Sequence, residues 1–278
     1  MLWHFKKTKY LYLGLCFSGM IAAAAVAFRI RFTPNIDISF EHGYVVLFGL
    51  ILWIILSGLI CTFYAMKDRF KIQNIIFNDC DPLKCISELE KIIDTKKLPK
   101  TYSNCFFLDL VWALLADGKT EEAFEVIKRI RKLSRDVKEK MSYYSYLVSI
   151  YLLQNNLEDA ETVLNRMKET MDNVKLSKFD KAFSERIYDR TLCVYGMAHG
   201  RYDGAEDYFI SEFVNAGNRY NKVIAKLNLG KIYLHYNKIA EAEEAFEYVL
   251  SNGNRLAAVK TAEEYLNKIS KKRALRAK

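Results

Sequence analysis

Proline is scarce, three in 278 residues, which argues for long uninterrupted helices and against a loop-rich or disordered chain. No P-loop, glycine-rich cradle or H-E-x-x-H run occurs, so nucleotide-loop and zinc-protease chemistry have no sequence support. Six cysteines form no paired framework. Cys80 and Cys85 are separated by four residues, which fits neither a redox C-x-x-C nor a zinc pattern, so they read as small buried hydrophobes in a reducing compartment. The four histidines, His4, His42, His199 and His235, are scattered and lack a ligand partner at helical spacing. His199 and His235 each end a helix just before a turn, where the helix dipole favours them. The acid-rich stretches "KTEEAFE" and "NNLEDAE" sit where negative charge offsets a helix N-terminus and solvates an outer face. No catalytic residue, metal ligand or cofactor is assigned, and the chain reads as a non-enzyme.

What is present is a helix-pair signature that recurs four times: "DGKTEEAFEVIKRI", "QNNLEDAETVLNRM", "HGRYDGAEDYFISEF" and "YNKIAEAEEAFEYVL". Each turns on one small residue, Ala123, Ala160, Ala205 or Ala242, at spacings of 37, 45 and 37 residues. A period in this range is what stacked helix pairs produce, because each pair buries its face on the next. The turns are expected at Gly118, Asn155–Asn156, Gly200 and Asn237, where a left-handed residue closes a helix at low cost. Upstream, Asp81 reads as an N-cap with Pro82 in the first turn. Cys85, 38 residues before Ala123, is then the small pivot of a degenerate first repeat. The spacing of 45 implies an insertion, "NVKLSKFDKAF", that lengthens the first helix of the third pair.

These residues resemble the tetratricopeptide repeat family. The last unit carries it best, with Leu229, Gly230 and Tyr233 on its first helix and Ala242, Phe246 and Val249 on its second. The second unit offers Leu147, Val148 and Tyr151, then Ala160, Leu164 and Met167. The resemblance covers roughly residues 104–254. It departs from the family in lacking the usual proline at each unit's end and in having Gly196 where a large side chain is common. It implies a concave face, built mainly from first helices, that binds an extended peptide or a partner helix. Carried over by register, that groove includes Trp112, Tyr146, Ser149, Arg190, Val194, Asn228 and Lys231, flanked by Leu108, Leu115, Leu152, Met197, Leu227 and His235. Such a mix of aromatic, aliphatic and basic groups suits a peptide with an apolar anchor and an acidic group. Trp112 and Tyr146 fit the core between repeats equally well.

Before the repeats, Leu11–Phe28 and Tyr44–Tyr64 contain no charged residue over 18 and 21 positions, roughly 27–31 Å as helix, about the hydrocarbon thickness. Trp3, Tyr10, Tyr12, Tyr44 and Tyr64 stand near their ends, where amphipathic rings prefer the headgroup layer. Lys6, Lys7, Lys9, Lys67, Arg69 and Lys71 on the outer flanks outnumber Arg29 and Arg31 between the runs, which predicts a cytoplasmic N-terminus and repeat domain. A cleaved secretory signal ending near Ala25-Val26-Ala27 is the alternative for the first run. Gly14, Ser18 and Ala22 form a small-residue stripe suited to close helix packing.

The expected fold is therefore all-α: a two-helix transmembrane hairpin over 1–64 (spans 11–28 and 44–64), then an α-solenoid of about four to five tetratricopeptide-like pairs over 65–278. A basic terminal helix carries Lys268, Lys271, Lys272, Arg273, Arg276 and Lys278; it reads as a solvated cap, with anionic lipid as a candidate contact. The expected function is a multi-pass cell-membrane scaffold that recruits a protein or peptide partner through the groove, with the bilayer contacted through 11–64 and no nucleic acid expected. The alternatives are a structural subunit of a membrane complex and a peptide-binding regulatory sensor.

Overall fold

In the computed structural model every regular element among the described residues is an α-helix. The structure describes residues 2–32, 40–94, 100–130, 132–134, 136–173 and 176–276. The loop expected between the two apolar runs falls largely outside the described residues, as do Val174 and Lys175 of the insertion and Lys278 of the tail. The side chains of Trp3, Lys6, Lys7, Lys9, Arg29, Arg31 and Tyr64 also lie outside them. The chain separates into two compact units, Met1–Lys71 and Ile72–Lys278.

The first unit holds α1 (Leu2–Phe32) and most of α2 (Phe40–Phe77). The two helices meet where the Trp53 indole donates to the Leu15 carbonyl at 2.7 Å and covers the Cα of Gly19. The Gly14–Ser18–Ala22 stripe does not make this contact: a Cβ on Gly14 would meet nothing within 4 Å. Phe17, Phe48, Leu52 and Leu59 are exposed within the unit.

Among the described residues no helix is long and apolar enough to cross a membrane. This corrects the two-span hairpin, the bilayer contact through 11–64 and the multi-pass membrane localisation, and the orientation argued from flanking charge falls with them.

The second unit is a run of helix pairs. The last residues of α2 meet α3 (Pro82–Asp94) through Ile72 and Cys85, and α4 (Lys100–Ala116) pairs with α5 (Thr120–Lys128), and α6 (Val137–Leu153) with α7 (Leu157–Asp172). Then α8 (Lys178–Ala198) is followed by α9 (Ala205–Asn215), α10 (Arg219–His235) by α11 (Ile239–Asn252), and α12 (Ala257–Arg276) ends the run. At 21 residues α8 is longer than the 17-residue α4, α6 and α10, so the insertion does lengthen the third first-helix. Its start is fixed by Ser177, whose Oγ accepts from the Asp180 N–H at 3.1 Å.

Each pair turns through a residue of positive φ, Cys80 (52°), Gly118 (81°), Asn155 (57°), Gly200 (72°) and Asn237 (57°), and the α8–α9 connection has a second, Gly204 (72°). The residue after the last four of these donates five positions back, Lys119 to Leu114, Asn156 to Tyr151, Arg201 to Gly196 and Lys238 to Tyr233, at 2.8–2.9 Å. That is the Schellman closure, which satisfies carbonyls a helix end would otherwise leave open. Gly196 is explained by the same turn, since a Cβ there would stand 3.3 Å from the Arg201 carbonyl. At Gly118 a side chain would also come 3.1 Å from the Ala257 Cβ. Gly118→Ala is expected to lose about 1–2 kcal/mol from left-handed strain, read as a lower urea midpoint with unchanged slope.

The small pivots Cys85, Ala123, Ala160, Ala205 and Ala242 are all buried, which lets the helices of neighbouring elements approach closely. Cys85 therefore does serve a fifth pair, and its thiol lies 3.6 Å from the Ile72 carbonyl. Burial, aided by the nearby Asp109 and Asp81 charges, pushes that thiol up to about 12.

The run curls back on its own beginning. Asn254 donates its side-chain amide to the Asp79 carbonyl at 2.7 Å, and the Arg255 N–H reaches the Cys80 carbonyl at 3.2 Å. The Arg255 guanidinium stands 3.5 Å from the Asp81 carboxylate. Cys80 and Ala116 share one apolar core with Val223, Leu227, Phe246 and Leu256. The first helices α4, α6, α8 and α10 consequently face inward, and the second helices pack behind them.

Candidate functional site

The residues assigned to the groove by register fall on this inner layer, but they are not alike. Trp112, on the last turns of α4, is only 9% exposed. Its ring lies 4.8 Å from Phe77 and meets Tyr220 of α10 edge-on at 5.2 Å. Leu108 and Leu227 are buried as well. At this end the inner surface is filled by the chain's own side chains.

Farther along, α6 and α8 are held together by small polar groups. The Ser145 and Thr191 hydroxyls are 2.9 Å apart, Ser149 donates to the Ser145 carbonyl at 2.9 Å, and Thr191 donates to Ile187 at 2.7 Å. Tyr146 and Ser149 are half-buried. Val194 and Met197 pack against the core made by Phe209, Ala225, Leu229 and Ile232, and Leu152 packs against the one containing Met141, Val148 and Met167. Asn228 is buried and donates to the Ile224 carbonyl at 3.1 Å. His235 stacks on Tyr202, centroids 3.9 Å apart, at the exposed end of α10.

Two cations complete the set. Arg190 of α8 is half-buried, and its charge acts on the hydroxyls of Tyr208 and Tyr220. Burial raises both phenols above their ordinary value, and the guanidinium opposes that rise. Lys231 of α10 is half-buried, and desolvation pushes its ammonium below the usual lysine value. Elsewhere in the unit several cations are paired: Lys138 of α6 with Asp180 of α8 at 2.8 Å, Arg186 of α8 with Glu212 at 3.0 Å, Lys238 with Glu206 at 2.9 Å and Arg273 with Glu243 at 2.7 Å.

Register alone did not single out Tyr220, although it stands 11 residues, about three turns, before Lys231 and so on the same face of α10. The closure through Asp79, Cys80 and Asn254 carries no sequence signal. Among the described residues no group of three or more His, Cys, Asp or Glu side chains could hold a metal ion.

This architecture is that of a helical-repeat protein. The PPR repeat, a two-helix repeat of tetratricopeptide-like build, matches residues 142–170, which are the α6–α7 pair. The match is to that repeat type, and no assignment to the tetratricopeptide family is shown. No curated protein and no solved structure matches the chain. A helical repeat domain suggests a protein- or RNA-binding scaffold.

Proposed function

We propose that the second unit is a non-catalytic scaffold that holds a protein partner, through an extended peptide segment, on the inward faces of α6, α8 and α10. The observation that carries this reading is that Arg190 of α8 and Lys231 of α10 have no ion pair among the described residues, whereas their helix neighbours Arg186 and Lys226 pair with Glu212 and Glu244. Unpaired charge on first helices that also carry half-buried Tyr146 and Ser149 is the composition of a peptide-binding surface, a few polar groups on an apolar wall. Trp112 serves this surface by positioning α10 against α4. The match of one pair to the PPR repeat favours RNA as a second reading.

Photo-crosslinking in the native cell tests both. A benzophenone amino acid is placed at Ser149, on the inner layer, or at Glu169, exposed on α7. The expected result is a discrete polypeptide adduct from position 149 and none from 169. An adduct to RNA from 149 would replace this reading with the second; adducts from 169 alone would move the interface to the outer face.

A further inference from the structure

A polar cavity of about 360 Å³ opens where the end of the repeat run meets its beginning. It is lined by Asn78 in the turn after α2, by Asn218, Arg219 and Lys222 at the start of α10, and by Tyr248 of α11. Its walls are held from behind. Cys80, Val223 and Val249, each within two residues of a lining side chain, are fully buried in one core. Asn254 and Arg255 fasten the Asp79–Cys80 turn to the chain after α11. A cavity of this size between fixed elements has the dimensions of a largely pre-formed small-molecule site.

The lining is one-sided in charge. Among the described residues no acid lines the cavity, and neither Arg219 nor Lys222 has an ion pair. The Arg219 guanidinium reaches the Ser251 carbonyl at 3.5 Å, and the Lys222 ammonium stands 6.0 Å from the centre of the Phe213 ring. The neighbouring acids are engaged or turned to solvent: Asp81 pairs with Arg255 at 3.5 Å, Glu244 with Lys226 at 3.4 Å, and Asp79 is exposed. The Asn218 Oδ1 accepts from the Asn221 N–H at 2.9 Å, which leaves its amide N–H groups to donate beside the Asn78 amide and the Tyr248 hydroxyl. Tyr248 meets Phe213 edge-on at 5.4 Å and gives the cavity an aromatic flank.

Two cations and several neutral donors exceed what a carboxylate can accept with its two oxygens and single charge. A phosphate group brings three free oxygens and roughly two negative charges at neutral pH, and a guanidinium can hold two of those oxygens at once. The remaining volume accommodates an organic group against Tyr248. We infer that this cavity binds a phosphate group, free or as the monoester of a small molecule, with Arg219 and Lys222 holding its oxygens. The site shares no residue with the inward surface proposed above and stands whether or not that surface holds a peptide.

Isothermal titration calorimetry on the full chain tests this with three probes: adenosine monophosphate, inorganic phosphate and adenosine. Adenosine monophosphate is expected to bind with a Kd of about 1 mM or tighter, and adenosine to give no measurable binding. Arg219→Gln/Lys222→Gln should weaken binding of the phosphate probes by at least about 10-fold, as loss of charge-assisted bonds requires. Lys260→Gln/Lys272→Gln, which removes the same charge from exposed positions of α12, should leave it unchanged. Circular dichroism checks that both variants are folded, and Arg219→Gln alone, at an exposed side chain, should move binding in the same direction as the double change. Tighter binding of adenosine monophosphate than of inorganic phosphate assigns the ligand to a phosphorylated organic molecule; equal binding assigns it to free phosphate. The inference is overturned if neither phosphate probe binds or if adenosine binds as well as its monophosphate. It is overturned equally if the Arg219/Lys222 variant binds as wild type does, or if the α12 variant loses as much as the cavity variant.

Discussion

Trp112→Ala is expected to cost about 3–5 kcal/mol, the range for truncating a buried tryptophan, and to loosen the join between the two ends of the repeat run. The magnitude follows from position. The indole is 9% exposed and lies between Phe77 of the first pair and Tyr220 of the fifth, so its loss leaves a void bounded by two elements far apart in sequence. A void there cannot close by small shifts of one helix, because Asn254 and Arg255 tie the same region to Asp79 and Cys80. Urea unfolding followed by tryptophan-independent circular dichroism gives the number. The Trp112→Ala/Tyr220→Ala double variant should fall short of the summed single effects by about 0.5–1.5 kcal/mol, the worth of an aromatic pair beyond its area. A Trp112→Ala loss under about 1 kcal/mol would place the ring at a yielding surface and reopen that end of the groove.

The difference between what was legible in the sequence and what was not follows the range of the contacts. Periodicity, caps and turns are local, and they read through. Gly118, Gly200 and Asn237 take up left-handed conformations where turn chemistry placed them, Asp81 caps α3 by accepting from the Lys84 N–H at 3.1 Å, and Cys85 fills a pivot. The register of the first helices assigned Arg190 and Lys231 to one face, since side-chain direction along a helix follows from spacing, and that assignment is carried as part of the proposal. Closure did not read through. Asn254 and Asp79 are 175 residues apart, and the curvature that brings them together is the sum of small rotations at every pair, none of which leaves a mark in a single stretch. Tyr220 was missed as the partner of Trp112 for that reason. The membrane expectation failed differently: it rested on length and apolarity counted along the sequence, whereas among the described residues no helix is long and apolar enough to cross a membrane.

The core of the last pair offers the second large effect, and one whose sign can be reversed. Phe246 is fully buried, lies parallel to Tyr265 of α12 with ring centroids 5.1 Å apart, and presses on the Cα of Gly230. Phe246→Ala should cost about 3–5 kcal/mol through lost burial and the cavity left behind. Gly230→Ala alone places a Cβ 2.5 Å from the ring edge and should cost about 1–3 kcal/mol as overpacking, more than the roughly 1 kcal/mol by which alanine favours a helix interior over glycine. In the combined variant the ring is gone, so the new methyl group enters the cavity and the helix preference is recovered. Gly230→Ala/Phe246→Ala is therefore expected to be more stable than Phe246→Ala by about 1 kcal/mol, a reversal visible in paired urea midpoints. Simple additivity of the two losses would show that Gly230 and Phe246 are not in contact, and with that the close approach of α10 and α11, on which the position of Lys231 depends, would have to be redrawn.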